Sequence, residues 1–222
     1  MDKNRTTYLF AAMLAASALA SCSESDDTVE EFPNWQARNE QFFDSIYNAA
    51  KGHIDSGAAD WIIYRNYSLQ ETVGQNSYDN IVVNVVNKGT DSGTPMYTDS
   101  VKVHYRARLL PSTSYPEGYV FSQSYYGDYS PTTSTAATLP VKESGLVTEG
   151  LSTALQNMHI GDRWTVYVPH QLGYGSSTTV SSSLTLPAYS ALTYDVTLVA
   201  YYRANADLQS TRSGSRGVWV YE

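Results

Sequence analysis

The stretch MHIGDRWTVYVPHQLGYG, residues 158–175, holds the side chains best placed to do chemistry in this chain. That chemistry is holding rather than bond-making, because the stretch carries no nucleophile and no set of metal ligands. Gly173 and Gly175 let the backbone turn sharply around Tyr174, which fixes one phenolic hydroxyl at the end of an apolar run. Before it, Trp164, Val166 and Val168 alternate with Arg163, Thr165 and Tyr167, the period-two pattern of a half-buried strand. Pro169 closes that strand, since proline has no N–H to give to a ladder. The expectation is one wall of an apolar pocket with a hydroxyl at its rim. No metal and no cofactor is implied.

Other elements must position that wall. Val101, Val103, Tyr105, Ala107 and Leu109 alternate with Lys102, His104, Arg106 and Arg108, which predicts a sheet with one face on a core and one in water. On that pattern His104 faces solvent. Residues 61–67 and the run DNIVVNVVN at 79–87 read as strands, as do Tyr119-Val120-Phe121 and 192–198, while Leu139-Pro140-Val141 resumes the apolar pattern. Leu151, Leu155 and Met158 stack on one face of a short helix that a turn at Gly145 introduces. Residues 124–137 and the Ser/Thr-rich 176–185 read as loops, and 204–216 as a polar tail. Val218–Tyr221 is expected to return as an edge strand. Upstream, 33–51 predicts a helix with Trp35, Phe42, Phe43, Ile46, Tyr47 and Ala50 in one stripe, ended by Gly52, with His53 alone beyond it as a solvated or capping residue. Packing onto the following domain and pairing with a second chain are both open to that stripe, so the oligomeric state stays undecided.

With 14 basic against 22 acidic residues the chain lacks the basic surface that phosphate binding needs, which argues against a nucleic-acid partner. Its 19 tyrosines suit strands and wet surfaces. Residues 1–21 form a targeting segment: Lys3 and Arg5, then an apolar run from Tyr8 to Ala20 too short to span a membrane. Leu19-Ala20-Ser21-Cys22 resembles the lipobox of bacterial lipoproteins, in which the cysteine is lipidated. Cys22 is the sole cysteine, so no intrachain disulfide forms. The acidic run after it, within a tether at 22–32, is similar to the export signals of surface-exposed Bacteroidetes lipoproteins. The expected localisation is an outer membrane lipoprotein, periplasmic or surface-exposed, held by a lipid anchor at Cys22.

The ordered segments resemble an FKBP-type peptidyl-prolyl cis-trans isomerase. Val103-His104-Tyr105 is similar to the family's V-H-Y strand, and Gly118–Ser124 to its G-x-x-F-D-S-S segment. Val147–Met158 is similar to its V-I-x-G-W-x-x-x-L-x-x-M helix. Gly161–Trp164 with Leu172–Gly175 is similar to G-x-x-W and L-A-Y-G, and Pro187–Leu198 to P-P-x-x-x-L-x-F-D-V-x-L. The likeness implies an α+β fold, a twisted antiparallel sheet wrapped around a short helix, spanning 61–203 after an N-terminal helical segment at 33–60 and before a tail at 204–222. It also implies an activity, isomerisation of X–Pro bonds in exported proteins, with proline-containing polypeptides as partners.

Carried over position by position, the resemblance makes Tyr105, Phe121 and Tyr174 catalytic, with Tyr174 binding a substrate carbonyl. Ser122, Val147, Leu151, Leu186 and Tyr194 would complete the substrate site, Tyr105 and Tyr194 as side walls and Leu151 as floor. A one-residue shift at the helix entry would exchange Val147 for Leu146. The Ser/Thr loop between Gly175 and Pro187 is long for the family and would reshape the rim, and two positions depart from the family pattern. Ser122 stands where the family has an acid, and Leu151 where it has a tryptophan, leaving the pocket deeper or looser. They support an alternative reading, a catalytically weak or inactive protein-binding module on a lipid anchor. Tyrosine content alone suggests a third, a surface glycan-binding lipoprotein.

Overall fold

Strand β3 (Ser100–Arg108) turns its alternating sequence into burial: Val101, Val103, Tyr105 and Ala107 all face the core, and Leu109 follows just beyond. The computed structural model that carries this strand describes residues 30–70, 72, 76–90, 93–181, 184–203 and 217–221. The expected targeting segment, Cys22 and the 204–216 tail lie outside the described residues. The remaining elements, in chain order, are α1 (Trp35–Asp55), β1 (Trp61–Arg65), β2 (Asn80–Asn87), β4 (Val120–Gln123), β5 (Ala137–Pro140), α2 (Glu149–Asn157), β6 (Arg163–Val168), β7 (Thr179–Ser181), β8 (Leu184–Leu186), β9 (Leu192–Arg203) and β10 (Val218–Val220). One eight-stranded sheet runs β1-β2-β6-β9-β3-β4, with β5 also on β3 and β10 on β9, every pairing antiparallel. The fold is an antiparallel sheet with a short helix on its inner face, preceded by a longer helix.

Two helices divide the sheet's faces, and β2 records both in its sequence. Ile81 and Val83 belong to the main core, where Leu151, Ala154, Leu155 and Met158 of α2 and its end are buried. Val82, pointing the other way, packs with Phe43 and Ala50 of α1. A continuous apolar run is what a strand covered on both faces requires. In α2, the Thr148 hydroxyl accepts the Leu151 N–H at 3.4 Å and Glu149 sits in the first turn, so cap and helix dipole both favour a start here.

Helix α1 corrects one expectation: it runs through Gly52 to Asp55. The stop comes at Ser56 and Gly57, whose N–H groups bond back to Gly52 and Ile54, with Gly57 in the left-handed region at φ 85°. Gly52 is therefore an interior helix glycine, and a Cβ there would meet nothing within 4 Å. Gly52→Ala is expected to stabilise the fold by about 0.5–1 kcal/mol, read as an upward shift in the urea midpoint at unchanged slope. An unchanged or lowered midpoint would contradict it.

Four further placements differ from the sequence reading. His53 stacks on Trp61, ring centroids 5.0 Å apart and 5° from parallel, rather than standing alone. His104 is only 6% exposed, with Nδ1 3.1 Å from the Thr135 carbonyl and the Tyr125 and Tyr129 rings around it. The 124–136 loop folds over that part of the sheet's outer face. The Ser/Thr-rich 176–185 segment holds β7 and most of β8, paired as a hairpin, instead of being wholly a loop. Glu31 and Phe32, read as the end of the tether, are docked: Glu31 accepts the Ser112 hydroxyl and the Ser114 N–H, and Phe32 meets Trp35 edge-on at 4.8 Å.

Candidate active site

Pairing between β3 and β4 shifts by one residue, from Ala107 opposite Ser122 to Arg108 opposite Val120. Phe121 is the extra residue of this bulge. Neighbouring side chains of a regular strand point to opposite faces, and the bulge lets Phe121 and Ser122 line the same cavity. That cavity has a volume of about 380 Å³ and is completed by Gly145, Leu146, Tyr174, Thr179 and Leu186. Its lining carries no charge.

Phe121 sits at the centre of an aromatic cluster. Its ring meets Tyr174 at 6.2 Å and 76°, and Tyr194 at 6.3 Å and 80°, both edge-to-face geometries. Behind it, the Tyr105 hydroxyl lies 2.9 Å from Ser122 Oγ. Serine thus keeps a hydrogen bond to this tyrosine while bringing no charge. Burial pushes the Tyr174 phenol above its ordinary pKa, with the nearby Tyr105 hydroxyl adding to the effect, so Tyr174 is a neutral donor at physiological pH. Tyr194 is shifted the same way by complete burial. Its hydroxyl has no hydrogen-bond partner of full geometry, although Thr148 is close by.

Local structure explains why each side chain arrives. Ser144 and Val147 exchange backbone hydrogen bonds across a tight turn, Val147 N–H to Ser144 and Ser144 N–H to Val147, with Gly145 at φ 49°. The turn projects Leu146 into the cavity and sends Val147 into the core, 2% exposed. On the far side, the His170 carbonyl accepts the N–H groups of both Gly173 and Gly175, at 3.0 and 2.8 Å, which closes the loop under Tyr174.

Of the residues expected from sequence, Phe121, Ser122, Tyr174 and Leu186 line one cavity. Tyr105 and Tyr194 stand directly behind the lining through their contacts to Ser122 and Phe121. Val147 and Leu151 are buried core residues and are absent from the lining. Leu146 and Thr179 line the cavity without having been in the expected set, although the alternative helix entry had named Leu146. Thr179 had no signal in its Ser/Thr surroundings.

A larger groove of about 750 Å³ lies on the outer face of the sheet, with His104, Tyr129, Arg163 and Thr197 among its walls. Its polar groups are already engaged: Arg163 donates to both Asp195 carboxylate oxygens at 3.0 and 2.6 Å, and His104 is held at Thr135. The smaller inner cavity, apolar with hydroxyls at its edge, is the better seat for a small apolar group.

The chain is similar to known proteins over part of its length. The macrophage infectivity potentiator of Trypanosoma cruzi is 31% identical over 120 residues, which is 54% of this chain and 52% of that protein. The FKBP-type 22 kDa peptidyl-prolyl cis-trans isomerase of Escherichia coli is 27% identical over 142 residues, 64% of this chain and 60% of its own. This chain therefore spans only about half to three-fifths of the length of the curated relatives it matches. Among solved structures, the three FKBP domains of wheat FKBP73 are 23% identical with a TM-score of 0.45, covering 61% of this chain and 54% of that one. Residues 92–199, which contain β3, the bulged β4, α2, the Tyr174 loop and most of β9, match the model of the FKBP-type peptidyl-prolyl cis-trans isomerase family.

Proposed function

We propose that this domain is a peptidyl-prolyl cis-trans isomerase acting on X–Pro bonds of exported polypeptides and so assisting their folding. The observation that carries the reading is the uncharged cavity in which Phe121 contacts both Tyr174 and Tyr194 edge-on. The reaction needs no nucleophile. An X–Pro bond keeps partial double-bond character, with a rotation barrier of ~18–20 kcal/mol. Twisting it removes amide resonance, so the carbonyl becomes less polar and the nitrogen more basic. An apolar seat that holds the prolyl ring favours that less polar, twisted state over the planar one.

In this reading Phe121, Leu146 and Leu186 grip the ring, and Tyr174 donates its hydroxyl to a carbonyl of the substrate. Tyr105 and Ser122 brace the rim through their mutual hydrogen bond, and Tyr194 backs Phe121. Uncatalysed isomerisation takes tens of seconds or longer, slow enough to limit folding. The retained Tyr105–Ser122 contact weakens the case for an inactive binding module, because the departure at Ser122 does not break the network. Titrating an X–Pro peptide into isotope-labelled protein tests the seat. Amide shifts should cluster at Phe121, Ser122, Leu146, Tyr174 and Leu186 and vanish when alanine replaces the proline. Shifts centred on the outer groove would overturn the assignment.

The proposal extends to the cell envelope: Cys22 is lipidated and tethers the domain to the outer membrane, on its periplasmic or exposed side. Support comes from the sequence, where the sole cysteine follows Leu-Ala-Ser at the end of an apolar run. Cys22→Ser is expected to abolish incorporation of labelled palmitate in cells and to release the protein from the membrane fraction. Palmitate labelling retained by the serine variant would contradict the anchor.

A further inference from the structure

The cavity's rim on one side is made of two loops that share no ladder, 170–175 and 187–191; α1, outside the matched 92–199 segment, bonds directly to the second and reaches the first through it. Asn39 is the key contact. It is 1% exposed on an otherwise apolar helix face, a position where an unbonded amide would be strongly unfavourable. Both ends of its side chain are used: Nδ2 donates to the Trp35 carbonyl at 2.7 Å, and Oδ1 accepts the Ala191 N–H at 2.8 Å. One turn earlier, Trp35 Nε1 donates to Ser190 Oγ at 2.9 Å, and that hydroxyl donates to the Pro187 carbonyl at 2.7 Å. Ser190 and Ala191 are each 2% exposed.

The clamp continues toward the reacting end. Tyr189, held at φ 61° between the clamped residues, donates its N–H to the Gly175 carbonyl at 2.9 Å. Its ring meets His170 edge-on at 5.1 Å, and the His170 carbonyl is the acceptor that closes the loop under Tyr174. His170 Nε2 in turn lies 3.5 Å from Glu40 of α1. Leu186, a lining residue, immediately precedes the clamped Pro187.

We propose that α1 is a positioning element of the substrate site: Asn39 and Trp35 fix the Pro187–Ala191 segment, which sets Leu186 and, through Tyr189, the Tyr174 loop. Geometry at a pocket rim has effect because small displacements of substrate contacts reduce catalysis steeply. The activity arm of this inference rests on the isomerase reading, while its structural arm does not.

The test uses the full chain with Asn39→Ala, the milder Trp35→Phe, and Ile46→Ala as a control on the same helix, where Ile46 packs with Phe43, Ala50 and Val82 away from the rim. Hydrogen exchange is read at the Gly175 and Tyr189 amides, which α1 does not touch. Asn39→Ala is expected to speed both by about tenfold, Trp35→Phe by a smaller factor, and Ile46→Ala by no more than global destabilisation allows. In a proline-peptide assay Asn39→Ala should lower kcat/KM by about fivefold, chiefly through KM, with Ile46→Ala near the wild type. Unchanged exchange in both rim variants, or an equal rise in Ile46→Ala, overturns the clamp. A wild type with no isomerase activity overturns the isomerase reading instead, and the exchange result still decides the clamp.

Discussion

Tyr174→Phe combined with Phe121→Ala is expected to reduce kcat/KM for an X–Pro peptide by roughly a hundredfold or more while leaving the far-UV spectrum unchanged. Tyr174→Phe alone would remove the neutral hydrogen bond proposed between this hydroxyl and the substrate, about 0.5–1.5 kcal/mol, and so give a loss of about three- to tenfold. Phe121→Ala removes the ring that touches both Tyr174 and Tyr194 and forms one wall of the cavity. An aromatic ring's apolar contact corresponds to about 1.5–3 kcal/mol, or some ten- to a hundredfold. The two residues touch, so their effects are not expected to add fully, and a double-mutant cycle should show coupling. Both side chains are only half-buried, so the fold is expected to survive their loss. A double variant with wild-type kcat/KM would remove these residues from the site.

The second large effect falls on stability. Gly150 lies in the first turn of α2, where the helix packs against Val168 of β6. A Cβ there would collide with Val168 Cγ1 and stand 2.9 Å from Cγ2. Val168 is fully buried and β-branched, so its methyl groups have little freedom to swing aside. Gly150→Ala gains a few tenths to one kcal/mol of helix propensity, but overpacking of about 1–3 kcal/mol outweighs it. The expected result is a lowered denaturant midpoint, with part of the loss restored by Val168→Ala in the same chain. Because α2 follows directly on the turn carrying Leu146, a lifted helix should also weaken substrate binding. A midpoint at or above that of the wild type would show that the helix does not seat on β6 in this way.

What the sequence made legible follows from periodicity. Strands β3 and β6 were readable because one face is buried and the other is polar, so period two appears residue by residue. The core stripe of α2 and the glycine-flanked Tyr174 were readable for the same local reason. The features that were missed are set by distant parts of the chain. The bulge that turns both Phe121 and Ser122 to the cavity is a register event between two strands, and neither strand's own pattern encodes it. His104 sits at a polar position of its strand, and only the overlying 124–136 loop buries it. Gly52 carries a stop signal that tertiary packing of α1 overrides, with Ala50 just before it fully buried. Asn39 was invisible as a contact because its partner lies 152 residues away.

Magnetisation-exchange spectroscopy on a short X–Pro peptide, with catalytic amounts of the full chain, tests the central claim most directly. Without protein the cis and trans signals exchange over tens of seconds or longer. The account predicts exchange accelerated in proportion to protein concentration, with the cis/trans ratio unchanged, and lost in the Tyr174→Phe, Phe121→Ala variant. Peptide binding with no acceleration of exchange would contradict it and leave a domain that holds proline segments without turning them over.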